Sequence, residues 1–241
     1  MSVARWRSRK GCACPDNRDF GGVLLRPEFE FAMVVDAAQR GPHGAALAKA
    51  WVCGLLDALG HETKVSPGQV LEEMQRCHKQ MRHDFLAERA SYAALLLHSS
   101  GDAWAMACGD CRVGTLRGGP IEWMTPVHTL ANPWGQDFVR SHADLPARHT
   151  LTQCWNAKRF DPPQVVALNA QGAVFCLATD GYWLEHQWLG VPQPALQDDA
   201  SCLVLGTDQG MQGFGPGGDN FVLRTCTAPE ATLRRFTGDM P

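Results

Sequence analysis

Apolar and polar positions change their period along the chain, and the changes divide it into strand and helix segments. Residues 29–36 (FEFAMVVD) form a short apolar run, bounded by Pro27 and by Gly41-Pro42. It predicts a buried strand that delivers Asp36 at its C-terminal end. From about Pro42 to Leu59, Ala48, Trp51 or Val52, Leu55 and Leu59 share one face of a helix; Pro42 suits its first turn and Gly60 its end. A second helix starts near Ser66-Pro67, where Val70, Met74, Cys77, Met81 and Phe85 recur at steps of four, three, four and four. Its His78 and nearby His83 are expected in solvent. The period then shortens. Residues 91–99, 103–108 and 112–116 read as strands, with Ser100-Gly101-Asp102 as a hairpin turn and Gly118-Gly119-Pro120 as the next turn, towards Ile121–Met124.

Residues 128–151 lack a period and carry Pro133, Gly135 and Pro146, the pattern of a functional loop; its Trp134 is a candidate contact for a substrate protein. Strands follow near 165–168 and 174–178, then Asp180-Gly181 and a short helix near 183–189. The last strands are expected at 201–205 and 220–224, with a Gly-rich surface loop at 206–218 between them. Strands segregated from helices imply α+β layers rather than a doubly wound parallel sheet. No linker divides the chain, so residues 1–241 are expected to form a single domain.

Composition narrows the function classes. The chain has 241 residues, 45% apolar and 20% charged, which fits a folded globular protein. A net charge of −3 is too balanced for a nucleic-acid partner, and no apolar run is long enough to span a membrane. Arg5 to Lys10 reads as a solvated basic tail, and no apolar segment follows that would make it an export signal. A cytoplasmic location is therefore expected, and with it ten reduced cysteines, several of them small core residues. Cys108-Gly109-Asp110-Cys111 has the C-x-x-C spacing of zinc and redox sites, and Cys12 and Cys14 could complete a four-thiolate set. The simpler account makes Cys108 the end of a strand.

The candidate chemistry lies in carboxylates at strand ends. Asp36 and Asp180 follow apolar runs, and Asp198 with Asp199 precedes one. Such groups can converge at one end of a sheet, where they repel one another unless cations neutralise them. Oxygen-only ligands favour Mg²⁺ or Mn²⁺ over Zn²⁺. Taken singly, each reads more readily as a turn or cap residue.

The ordered set resembles the metal-dependent protein phosphatases of the 2C type, over most of the chain. Six stretches carry the resemblance: residues 11–19 (GCACPDNRD), Val34-Val35-Asp36-Ala37, Gly109-Asp110-Cys111-Arg112, Thr125-Pro126-Val127-His128-Thr129, Thr179-Asp180-Gly181 and Asp198-Asp199-Ala200-Ser201. The resemblance implies a four-layer α-β-β-α sandwich with two central antiparallel sheets. It implies two Mn²⁺ or Mg²⁺ ions, bridged by Asp36, with Asp180 and Asp198 on one and the carbonyl of Ala37 on the other. Asp19 would hold water beside them, and Asp110 could join a third ion. A hydroxide between the two ions would attack a phosphoserine or phosphothreonine of a protein substrate, with a Ser/Thr kinase as candidate partner.

Two departures qualify that implication. The family's phosphate-binding arginine falls at Cys14, and a thiol supplies no guanidinium fork. Arg18 stands nearby and is the candidate substitute for binding substrate. Ala37 replaces a glycine and is strained if the site needs a glycine-like dihedral. A rival reading follows from these departures: a pseudophosphatase that binds a phosphoprotein or kinase without hydrolysis. His128, in the worn threonine motif, is a candidate general acid.

Overall fold

In the computed structural model, residues 2–206 and 218–226 are described. Two sheets lie face to face. The first runs β1 (Val3–Arg9), β11 (Ala200–Gly206), β10 (Val174–Ala178), β6 (Arg112–Leu116) and β7 (Glu122–Trp123). The second runs β12 (Phe221–Thr225), β2 (Asp19–Leu25), β3 (Phe29–Ala37), β4 (Arg89–His98), β5 (Asp102–Cys108) and β9 (Gln164–Asn169), with β8 (Trp155–Asn156) on β4 outside this path. Neighbours are antiparallel except β12 and β2, which run parallel. The expected loop at 206–218 falls almost wholly outside the described residues.

Each layer follows from a face of apolar side chains. Val23, Val34, Leu95, Phe175, Leu177 and Leu203 fill the space between the sheets. On the other face of the seven-stranded sheet, Phe31, Met33, Val35 and Tyr92 meet α1 (Gly44–Gly60) and α2 (Pro67–Met81). Alternation along β3 sends Met33 and Val35 to the helices and Ala32 and Val34 to the other sheet. A capping box starts α2: the Ser66 hydroxyl accepts from Gln69 N, and the Gln69 side chain accepts from Ser66 N. The fourth layer covers the five-stranded sheet. It is a π-helix, Gly181–Trp188, packed with Phe138 and Leu196 over Cys176 and Cys202. The α-β-β-α order is the one expected, and the segment read as a short helix near 183–189 is this π-helix.

Two expectations are corrected. Residues 5–10 are not a tail: through Arg9 they are edge strand β1, paired with β11. Trp6 is buried and stacks on Phe221 at 5.6 Å, while Arg7 on the alternate face is exposed. One buried tryptophan among arginines is too sparse an apolar pattern to show a strand, and charged side chains are the common protection of an edge. His78 is buried, not solvated; its Nε2 bonds the Asn156 carbonyl at 2.8 Å and its ring packs on Trp155 and Phe160. The cysteines are free, as expected, and Cys108 lies wholly buried with its thiol directed at the Asp161 carbonyl.

Trp51 is the hub of the helix-side core, fully buried between Tyr92 at 5.8 Å and Trp155 at 6.4 Å. Trp51→Ala is expected to cost about 3–5 kcal/mol of unfolding free energy. Urea unfolding checks this: the midpoint should fall steeply with an unchanged slope.

Candidate active site

The sheet registers bring the predicted carboxylates together. Asp19 opens β2 directly opposite Asp36 on β3, and Asp36 in turn faces Ser91 on β4. Asp110 occupies the β5–β6 turn, made possible by Gly109 at φ +97°, where a Cβ would strike Ser91. Asp180 lies two residues beyond the end of β10 of the opposing sheet and immediately precedes the π-helix. Asp198 precedes β11. A cavity of about 180 Å³ at this end of the sandwich is lined by Asp36, Ala37, Asp110, Asp180 and Asp198, together with Gln39, Ser91 and His149.

Few hydrogen bonds balance these acids. Thr179 Oγ1 donates to Asp19 Oδ2 at 3.0 Å, and Ser91 Oγ donates to Asp110 Oδ1 at 2.6 Å. Asp19 Oδ1 and Asp180 Oδ1 are buried with no partner. Burial, and then neighbouring carboxylates, hold Asp19, Asp36 and Asp180 well above the usual carboxylate range. The pKa of Asp110 is also raised, chiefly by burial. Arg148 lowers the pKa of both Asp110 and Asp180, but it ranks below burial in each. Unpartnered carboxylate oxygens converging from both sheets form a donor set suited to hard divalent cations.

Asp199, adjacent to Asp198, has a different task. Its Oδ1 accepts from Gly11 N at 2.9 Å and its Oδ2 from Arg18 N at 2.8 Å. It thereby pins the 11–18 loop onto the end of β11. Cys12 N and Ala13 N add bonds to the carbonyls of Leu196 and Gln197. The approach is so close that a Cβ on Gly11 would lie 2.3 Å from the Gln197 oxygen. Cys14, carried by this loop, places its thiol 3.4 Å from Asp198 Oδ1. Burial, then Asp199 and Asp198, push the thiol up to about 12, so it is a neutral donor. The ligand atoms of Cys14, Asp198 and Asp199 lie within 4.8 Å of one another. Among the described residues, Cys108 and Cys111 join no such group.

Arg18 sits elsewhere than the sequence suggested. Its Nη1 donates to the carbonyls of Ala38 at 3.1 Å and Gly41 at 2.8 Å, and its Nε to Asp16 at 3.0 Å. It holds the turn after β3 and does not line the carboxylate cavity. Ala37 does line it, in strand conformation; no described residue other than glycine has a positive φ, so the alanine is unstrained. His128 is also outside the lining. Its Nδ1 accepts from Gly109 N at 3.2 Å and Nε2 faces Gln164, so its neutral ring supports the Asp110 turn.

Sequence reasoning missed Ser91, Gln39, His149 and the clamp role of Asp199. Only Asp199 left a signal, as the second acid of its pair. His149 arrives on a short helical turn, Pro146–His149, within the irregular 128–151 segment, and burial with the charge of Arg148 depresses its pKa. The same segment exposes Leu130, Val139, Leu145 and Trp134, the last 84% accessible.

No protein-family model matches the sequence, and no curated protein matches it. Solved structures do. The Streptococcus agalactiae serine/threonine phosphatase (S. agalactiae) superposes with a TM-score of 0.71 at 13% identity, over 86% of this chain and 100% of that one. The PPM Ser-Thr phosphatase of Mycobacterium smegmatis, solved with cacodylate, gives 0.70 at 16%, over 85% and 98%. The Mycobacterium tuberculosis serine/threonine phosphatase gives 0.63 at 17%, over 87% and 100%. The two sheets, their flanking helices and the strand ends that carry the acids thus have the fold of the PPM-type serine/threonine phosphatases.

Proposed function

We propose that the chain is a protein phosphatase acting on phosphoserine and phosphothreonine with Mn²⁺ or Mg²⁺. The observation that carries this reading is the convergence of Asp19, Asp36, Asp110, Asp180 and Asp198, with buried unpartnered oxygens on Asp19 and Asp180. Asp36, Asp180, Asp198 and the Ala37 carbonyl would hold two cations, and Asp110 a third. Cations there supply a water of lowered pKa and offset charge on the phosphoryl group.

The protein groups do the rest. Asp19, held by Thr179, has Oδ1 free to accept a hydrogen bond from water beside Asp36. Ser91 keeps one oxygen of Asp110 engaged and so fixes the direction of the other. His149, its pKa depressed by burial and by the charge of Arg148, stands in the cavity lining, where a neutral imidazole could accept a proton or a hydrogen bond from water. The exposed apolar side chains of the 128–151 segment, beside this lining, would meet the substrate protein. A phosphorylated protein as substrate implies a Ser/Thr kinase that makes it. Among the described residues no helix is long and apolar enough to cross a membrane.

A second reading, a pseudophosphatase that binds without hydrolysing, is favoured by one observation: among the described residues a neutral thiol stands at Cys14 and no arginine lines the cavity. Turnover separates the two. Hydrolysis of p-nitrophenyl phosphate should require Mn²⁺, stop with EDTA and fall at least about 100-fold in Asp180→Asn. No turnover on phosphopeptides together with no manganese binding by calorimetry would favour the second reading.

Two further outcomes follow. Arg18→Ala removes charge-assisted bonds to two carbonyls and is expected to cost about 2 kcal/mol of stability while leaving the KM for a phosphopeptide unchanged. A raised KM at normal stability would instead place Arg18 at the phosphate. The raised carboxylates also set a pH dependence. Their folded pKa values exceed the unfolded one, so above about pH 4 the folded state holds more protons and stability falls as pH rises. The metal-free protein should melt at a lower temperature at about pH 8 than at about pH 5, and Mn²⁺ should raise the melting temperature more at the higher pH.

A further inference from the structure

A second cavity, of about 390 Å³, shares no lining residue with the carboxylate cavity. Its walls are aromatic: Trp123, Phe138, Trp183 and Trp188. Phe138 stands edge-on to Trp183 at 5.5 Å and tilts against Trp188 at 5.6 Å. Arg112 also lines the cavity, only 8% exposed, its guanidinium carbon 5.0 Å from the Trp183 ring centre and 5.6 Å from that of Trp123. Asp137, exposed, also lines the cavity, and its charge acts on the Arg112 guanidinium without a hydrogen bond to it. The volume, apolar walls and few polar groups match those of small-molecule sites.

The guanidinium is the informative group. Its Nε donates to the Thr125 carbonyl at 2.9 Å. Among the described residues, neither terminal nitrogen has a hydrogen-bond partner, and neither is sealed from solvent. An arginine this buried presents its fork to a carboxylate or phosphate more effectively than to water, since the surrounding rings already hold it in place. Trp183 is fixed as well: its Nε1 donates to the Asp110 carbonyl at 2.7 Å. The walls are therefore set before a ligand arrives, which lowers the entropy lost on binding. The π-helix that carries Trp183 and Trp188 is a rare conformation, and rare backbone of this kind gathers at functional sites. Asp137 disfavours a polyanion and can accept from a ring N–H or an amine.

The geometry points to a binding site for a planar heteroaromatic ligand that bears one carboxylate or phosphate, its ring between Trp183, Trp188 and Phe138 and its anion on the Arg112 fork. This site stands independently of the phosphatase reading. Titration calorimetry of the full-length protein with indole-3-acetate and with AMP tests it, one probe for each source of the anion. At least one should bind with a dissociation constant below about 1 mM and quench tryptophan fluorescence. Binding should weaken at least about tenfold in Arg112→Lys, which keeps the charge but loses the fork, and in Trp188→Ala. Trp188 is 37% exposed, so that variant remains decisive should Arg112→Lys fail to fold. No binding of either probe overturns the assignment, and so does binding of equal strength in the wild type and Trp188→Ala, which would place the probe elsewhere.

Discussion

Carboxylates that cannot all be ionised without a counter-charge are the constraint around which this end of the molecule is built. Asp19 and Asp36 face each other across adjacent strands, and Asp180 comes towards them from the other sheet. Burial removes the water that would screen them, so each raises the pKa of its neighbours. A fold under no functional demand would replace these groups with apolar ones, since removing buried charge is often neutral or stabilising. Retaining them is the cost of the cation site proposed for them. The neighbouring contacts hold these acids in place without neutralising them: Thr179 on Asp19, Ser91 on Asp110, and the Gly109 turn braced by His128.

Asp199 shows how two adjacent residues of one type come to do different work. Asp198 lies in a bend just before β11. Asp198 faces the cavity, while Asp199 takes the backbone N–H groups of Gly11 and Arg18. That clamp brings Cys14 to Asp198 and sets the start of β2, where Asp19 lies. The N-terminal loop is thus part of the site's construction, and the thiol at Cys14 is a packed, neutral neighbour of a carboxylate rather than a free nucleophile.

The π-helix joins two otherwise separate places. Its first residue follows Asp180, and Trp183 bonds the Asp110 carbonyl. Its outer face closes the aromatic cavity over Arg112. The fourth layer is therefore both a cover for the five-stranded sheet and a wall shared in mechanical terms with the carboxylate site.

Much of this was legible in the residues alone. The run 29–36 specified a buried strand ending in Asp36, the stripe from Val70 specified α2, and the ordered acid motifs pointed to the sandwich and to the carboxylates gathered at one end of it. Those signals are local: apolar periodicity and short spacings survive in a single sequence. What the tertiary structure decided depends on register and on partners distant in sequence. Strand β1 was hidden because one buried tryptophan among arginines makes no pattern until β11 lies beside it. Arg18 reads as a free cation until the carbonyls of Ala38 and Gly41 claim it. Ser91 and His149 carry no motif, and the motif that contains Arg112 says nothing of the cavity its guanidinium lines. They exist as sites only because antiparallel pairing and the packing of the fourth layer bring together residues that chain order keeps apart.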